Sequence, residues 1–178
     1  MTKDTKFQEN VAKRGHNAES IFFASFIAGL NSFGILNQAV VNLASRRAGK
    51  YLARLGELTD FSESDMLKGA KMKVEAKFDK SLKVLNKVLP ISEDIEMKKD
   101  NEDILISIRN STCKFCPKGV GEAELKGTLC PFPSLIESFN NEIWKSEDIQ
   151  LVKERATPLM VKEGDWCIFK FRIKKDSE

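Results

Sequence analysis

The hydrophobic pattern changes period once along the chain. Up to Pro90 apolar positions recur every three to four residues, as on one face of a helix; beyond it they recur every two, as on one face of a strand. Between Ala18 and Leu30 the apolar residues at 21, 22, 23, 26, 27 and 30 make a wide helical face. Gly34 breaks that pattern, and a second helix is predicted to run to Leu55, with Leu36, Val40, Leu43, Arg47, Tyr51 and Leu55 as its stripe and Gly56 as its stop. Ser62 and Asp65 read as a capping pair for a third helix carrying Met66, Ala70, Val74, Phe78, Leu82 and Leu89. Pro90 ends it, since proline lacks the helical N–H donor and disfavours helical geometry in the residue before it. Residues 1–15 are polar and read as a flexible or short helical N-terminus.

After Pro90, Ile95 and Met97 precede the turn residues Asp100 and Asn101, and Ile104, Ile106 and Ile108 alternate after them, which predicts a β-hairpin. A fourth helix follows Pro131 and Pro133, with Ser134 and Glu137 as a capping box and Leu135, Ile136, Phe139 and Ile143 as its buried face. The last segment offers Ile149, Leu151 and Leu159 to Val161, then the turn Glu163-Gly164-Asp165, then Cys167, Phe169, Phe171 and Ile173 alternating with Ile168, Lys170 and Arg172. The order of three helices, hairpin, helix and hairpin predicts an α+β fold in which helices cover an antiparallel sheet. At 178 residues, with no repeat or linker, residues 1–178 read as a single domain.

Composition changes this picture little: 42% hydrophobic and 31% charged residues are ordinary for a globular chain. A net charge of +3 is too small a surplus to imply nucleic acid. The apolar run Ile21 to Leu30 meets Asn31, Ser32, Asn37, Gln38 and Asn42 too soon for the ~20 apolar residues of a membrane span, so a buried core helix is expected. The first 20 residues mix charges of both signs and resemble no secretory signal, so a cytoplasmic, reducing location is expected.

The candidate chemistry lies in the cysteines. Cys113 and Cys116 form a C-x-x-C before Pro117, Cys130 lies 14 residues on, immediately before a helix, and Cys167 opens the final strand. Two thiolates on one turn can grip one ion, and the free amides at a helix start favour a third. The spacing is not that of a standard zinc finger. One zinc ion held by Cys113, Cys116, Cys130 and Cys167 is the preferred reading. An iron-sulfur cluster, a redox dithiol at Cys113 and Cys116, and plain buried cysteines are the alternatives.

Other candidates are weaker. His16, the sole histidine, falls in the N-terminal segment, which excludes any other histidine-based triad. Gly119-Val120-Gly121-Glu122 lacks the strand-to-helix context of a phosphate loop. Arg46, Lys50 and Arg54 form a basic stripe read as a solvated helix face, and Trp144 and Trp166 read as core or pocket wall.

With Cys130 at the start of the late helix and Gly164-Asp165-Trp166-Cys167-Ile168-Phe169 at the final turn, the chain resembles the 4-vinyl-reductase small-molecule-binding domain. That family shares its fold with vesicle-tethering subunits of the TRAPP complex. In its sensor members, cysteines like Cys130 and Cys167 hold zinc together with a glutamate and a further cysteine. Here Glu154 stands near the glutamate position and no cysteine follows it, a departure from the family's ligand set; an all-cysteine site completed by Cys113 and Cys116 is preferred to one that keeps Glu154. Over its last 70 residues the chain is also similar to the aminothiazoline carboxylate hydrolases, which share the Gly-Asp-x-Cys-x-Phe ending.

The expected function is a small-molecule-binding protein in which Phe22, Phe23, Phe26 and Phe33 line a pocket for a hydrophobic or aromatic ligand, braced by zinc. A metal-dependent enzyme, either a vinyl reductase or a hydrolase, is the alternative. A homodimer like the tethering subunits is a third option.

Overall fold

Residues 3–59, 61, 71–116, 129–153 and 159–174 are described by the computed structural model. The elements run α1 (Lys3–Arg14), α2 (Ala18–Ser32), α3 (Gln38–Thr59), α4 (Val74–Val88), β1 (Ile95–Asp100), β2 (Asp103–Arg109), α5 (Phe132–Trp144), β3 (Ile149–Leu151), β4 (Val161–Glu163) and β5 (Trp166–Ile173). This is the α+β order read from the sequence, with the polar N-terminal segment forming α1.

The sheet is antiparallel, ordered β1-β2-β5-β3, with β4 also on β5. Strand β5 is its hub. β2 lines one edge of β5 from Asp103↔Arg172 to Arg109↔Trp166, while β4 and β3 share the other edge, β4 at residues 166–168 and β3 at 171–173. The last hairpin is thus real, but its outer strand comes in two pieces. Both hairpin turns have two-residue loops: Asn101 takes φ 55° in the first, and Gly164 takes φ 58° in the second, where glycine carries no Cβ penalty.

One face of the sheet is core: Ile104, Ile106, Ile108, Phe169 and Phe171 are sealed from solvent. Helices α4 and α5 cover it, and Phe78 of α4 meets Phe171 with ring centroids 5.2 Å apart. Helix α4 stops at Val88, with Leu89 extended (φ −127°, ψ 95°) as the following proline demands. It begins at Val74 from an extended Lys73, after a turn and bend at residues 71 and 72, and does not run on from Ser62. The predicted cap Ser62/Asp65 and the stripe members Met66 and Ala70 lie outside the described residues.

Helix α3 corrects the sequence reading. Its predicted stripe of Val40, Leu43, Tyr51 and Leu55 is exposed, and the opposite face, Val41, Ser45, Gly49, Ala53 and Gly56, is buried against α5. Small residues decide the orientation because they let the two backbones close up. A Cβ on Gly49 would stand 2.6 Å from the Leu135 carbonyl oxygen and 3.0 Å from Ser138 Cβ. The contact is pinned by Ser138 Oγ, which donates to the Arg46 carbonyl at 2.7 Å.

The predicted capping box of α5 is also absent. The helix starts earlier, at Phe132, with Pro131 as N-cap, so Ser134 lies inside it and its buried hydroxyl has no hydrogen-bond partner. Glu137 turns elsewhere: its carboxylate accepts the Leu151 N–H at 2.7 Å and pairs with Arg46 at 3.0 Å, tying α5 to both β3 and α3. Helix α2 carries the capping box instead, with Asn17 and Ser20 exchanging side-chain-to-backbone bonds.

Candidate functional site

The two cysteine loops approach each other beneath α2. The loop after β2 is held in place at both ends: Lys114 N–H donates to Ile91 O at 2.9 Å, and Asn110 N–H to Asp165 O at 2.7 Å. A Ser111 hydroxyl bond to the Asp165 carboxylate strengthens the second tie and holds that acid below its usual range. Since Asp165 belongs to the turn before β5, these bonds bring Cys113 towards Cys167. The pairing Ile108↔Cys167 places the last strand's cysteine opposite the end of β2.

Cys113 lies within electrostatic reach of Cys116, Cys130 and Cys167, Cys130 lies within reach of Cys116 and Cys167 as well, and none of the four is in a disulfide. Burial, then the neighbouring Cys116, pushes the Cys113 thiol up to about 12. Burial and then Cys113 raise Cys130 well above the ordinary thiol range, with Cys116 and Cys167 adding to it. Against this, the backbone N–H of the residue two places on points at each sulfur: Phe115 at Cys113 and Phe132 at Cys130, both favouring the thiolate. Buried sulfurs that repel one another as thiolates, each with an amide aimed at it, suit a cation that would take up their charge. No three cysteine, histidine or acidic side chains among the described residues converge tightly enough to hold a metal ion in this arrangement.

Beside these loops lies an apolar cavity of about 500 Å³. Phe23, Phe26, Ile27 and Leu30 of α2 form one wall, and Val41, Ala44, Ala48 and Leu52 of α3 another. Phe115, Pro131, Phe132 and Leu135 form the third. No charged side chain is among the described lining residues. Edge-to-face rings connect the walls, Phe23 to Phe115 at 5.7 Å and Phe115 to Phe132 at 6.0 Å.

Two of the four phenylalanines predicted for the pocket, Phe23 and Phe26, line it. Phe22 and Phe33 are exposed outside it. Phe115 and Phe132 line it too and are not singled out by the sequence, although an aromatic beside a buried cysteine is itself a sign of a packed wall. Trp144 is core, its indole N–H donating to Lys77 O at 3.0 Å, while Trp166 lies under the Arg109 guanidinium at 4.9 Å. The basic stripe is partly paired, Arg46 with Glu137 and Arg54 with Glu142. His16 Nδ1 lies 3.0 Å from Ser20 Oγ, and its pKa is lowered by burial and then by Arg14 and Lys114, which places it against the Cys113 loop. Arg14 reinforces that contact by donating to Cys116 O at 3.3 Å. Glu154 and Gly119 to Glu122 lie outside the described residues.

No helix among the described residues is long and apolar enough to cross a membrane. The chain is 35% identical to the uncharacterized protein MJ1342 of Methanocaldococcus jannaschii over 71 residues, 40% of this chain and 61% of that protein. It is 30% identical to the uncharacterized protein MJ0207 of the same organism over 80 residues, 45% of this chain and 47% of that protein. These matches span about half to three-fifths of the relatives' own length. The model of the MJ0207 family matches residues 34–173. That stretch contains every residue on which the resemblance to the 4-vinyl-reductase domain and to the aminothiazoline carboxylate hydrolases rested, from Cys130 to Phe169, and it overturns both assignments. Cysteines at a helix start and a strand start are features that unrelated α+β folds reach independently. With the match running through α3, the whole sheet and α5, the chain belongs to the MJ0207 family.

Proposed function

We propose that the chain binds a small apolar organic molecule in the cavity between α2, α3 and α5, and that a soft metal ion, zinc by preference, held by Cys113, Cys116, Cys130 and Cys167, stiffens one wall of it. The observation that carries this reading is the shared wall. Phe115 lies between Cys113 and Cys116, Phe132 follows Cys130 by two residues, and both rings face the cavity. Drawing the four sulfurs onto one ion would fix both rings at once.

The size and lining support an apolar ligand. Ligand sites commonly measure about 300–1,000 Å³, and a space of about 500 Å³ without charged walls is poorly suited to ordered water, which needs two to four polar partners. Ser45 and Tyr51 are the two hydroxyl-bearing residues among the described lining, and a few polar groups in an otherwise apolar wall are the pattern of a small-molecule site.

Two measurements on the purified protein test the parts separately. Elemental analysis should give close to one zinc per chain; iron with sulfide would replace zinc by a cluster, and neither would remove the metal. A thermal-shift series with flat aromatic and branched aliphatic compounds should raise the transition for some of them. A protein that no apolar compound stabilises at saturation does not bind ligands in this cavity.

A further inference from the structure

The exposed face of α3 calls for an occupant. Leu43 and Leu58 are 74% and 85% exposed, and Val40, Tyr51 and Leu55 stand with them. Phe22 of α2 and Phe33 at its C-cap, 71% and 78% exposed, extend the apolar surface. Phe26, Val40 and Tyr51 join the two parts, because all three also edge the cavity between α2 and α3. Contiguous apolar patches beyond a few hundred Å² mark interaction sites. Helix α2 is apolar on nearly every side, a composition that belongs to a covered helix.

Area and charge choose the partner. With about 150–250 Å² for a whole aromatic side chain, the exposed aromatic and aliphatic residues of this face offer on the order of 1,000 Å² per chain, enough for the ~800 Å² per partner of a stable complex. From Ile21 to Ser45 there is no charged residue, so two copies meeting about a twofold axis set no like charges against each other there, despite a net charge of +3. An anionic lipid surface is less well matched: α2 has no basic residue, Arg46 and Arg54 are engaged with Glu137 and Glu142 on α5, and exposed Arg47 and Lys50 are too few for a basic face along an amphipathic membrane helix.

We propose that the α2–α3 face is the interface of a symmetric homodimer. The second copy would lie across Phe26, Val40 and Tyr51 and so close the side of the cavity they edge. The interface does not depend on any ligand.

Sedimentation of the full chain tests it. The expected mass is twice 20.1 kDa at micromolar concentration, and Leu43→Glu and Leu58→Glu, both at exposed positions, should each weaken association at least about a hundredfold with an unchanged far-UV spectrum. Hydrogen exchange on the wild-type protein needs no variant: amides of α2 and α3 should lose protection on dilution. A wild-type chain that remains a monomer at concentrations on the order of 100 μM overturns the proposal. So does a dimer that survives both substitutions with its α2 and α3 amides indifferent to dilution, or a monomer that floats with phosphatidylglycerol vesicles, which would give the face to lipid.

Discussion

Gly49→Ala isolates the contact that orients the helical layer. The new Cβ would stand 2.6 Å from Leu135 O, 3.0 Å from Ser138 Cβ and 3.1 Å from Phe139 N, and two of these three are backbone atoms of α5. Carbon to carbonyl oxygen contacts ordinarily sit near 3.3–3.6 Å, so the helices must part by roughly 0.7 Å. Overpacking of this kind costs about 1–3 kcal/mol, while replacing a mid-helix glycine by alanine returns about 1 kcal/mol of helix propensity. The clash wins because no flexible side-chain end is available to yield. With backbone atoms as the obstacle the cost falls in the upper part of the overpacking range, about 2–3 kcal/mol, so the expected net loss is about 1–2 kcal/mol, or a Tm lower by about 2–8 °C for a chain of this size. Gly29→Ala in α2 is the control: nothing lies within 4 Å of its Cβ, so propensity acts alone and the protein gains up to about 1 kcal/mol. Urea unfolding of the three proteins side by side gives the comparison. If Gly49→Ala is as stable as wild type, α3 does not pack on α5 as described.

The remaining predictions concern the cysteines and Glu137. Cys113→Ser and Cys130→Ser should each release the metal, and the double variant should be little worse than either, since a structural zinc can contribute on the order of 10 kcal/mol and one ligand lost breaks the site; calorimetric unfolding of all four proteins checks it, and mild, additive losses would show that these cysteines share no ion. In metal-stripped protein the thiols of Cys113 and Cys130 are raised, so the folded state holds their protons more tightly than the unfolded chain. Their contribution is therefore full below the ordinary thiol range and falls as pH rises through it towards about 12 for Cys113, and urea midpoints at about pH 8 and 10 should drop for stripped protein and hold for zinc-loaded protein. Glu137→Ala should cost about 3 kcal/mol, because the buried Leu151 N–H loses its acceptor, whereas Glu137→Gln keeps that bond, loses only the pairing with half-exposed Arg46 and should cost about 1 kcal/mol by urea titration.

Periodicity revealed the elements better than it revealed their orientation. The change of period at Pro90, the alternation of Ile104, Ile106 and Ile108 and the turn at Gly164 are local signals, and each corresponds to an element of the fold. The face of α3 was read backwards because large apolar residues dominate a hydrophobic stripe, whereas the choice here lay with Gly49, Ala53 and Gly56, whose value is the absence of a side chain. The α5 cap failed for a similar reason: Ser134 and Glu137 have the right spacing, but Glu137 finds a stronger use across β3 and α3, which no local window contains. The cysteines could be picked out one by one, and their mutual proximity follows from strand register and from bonds such as Asn110 to Asp165 that sequence spacing does not encode.

The position of β5 dictates when this sheet can exist. It lies between β2 and the pair β3 and β4, although it follows all of them in sequence. As the ribosome extends the chain, β1 and β2 emerge as a two-stranded hairpin, a unit of marginal stability in water, with Ile104, Ile106 and Ile108 still lacking the cover of α5 and the rings of Phe169 and Phe171 beside them. Strands β3 and β4 then have nothing to pair with until residues 166–173 arrive and insert between them and β2. Assembly is thus a late, long-range event, slow by the measure of contact order, and the interval before it is when this chain is most exposed to aggregation through its own unfinished edges.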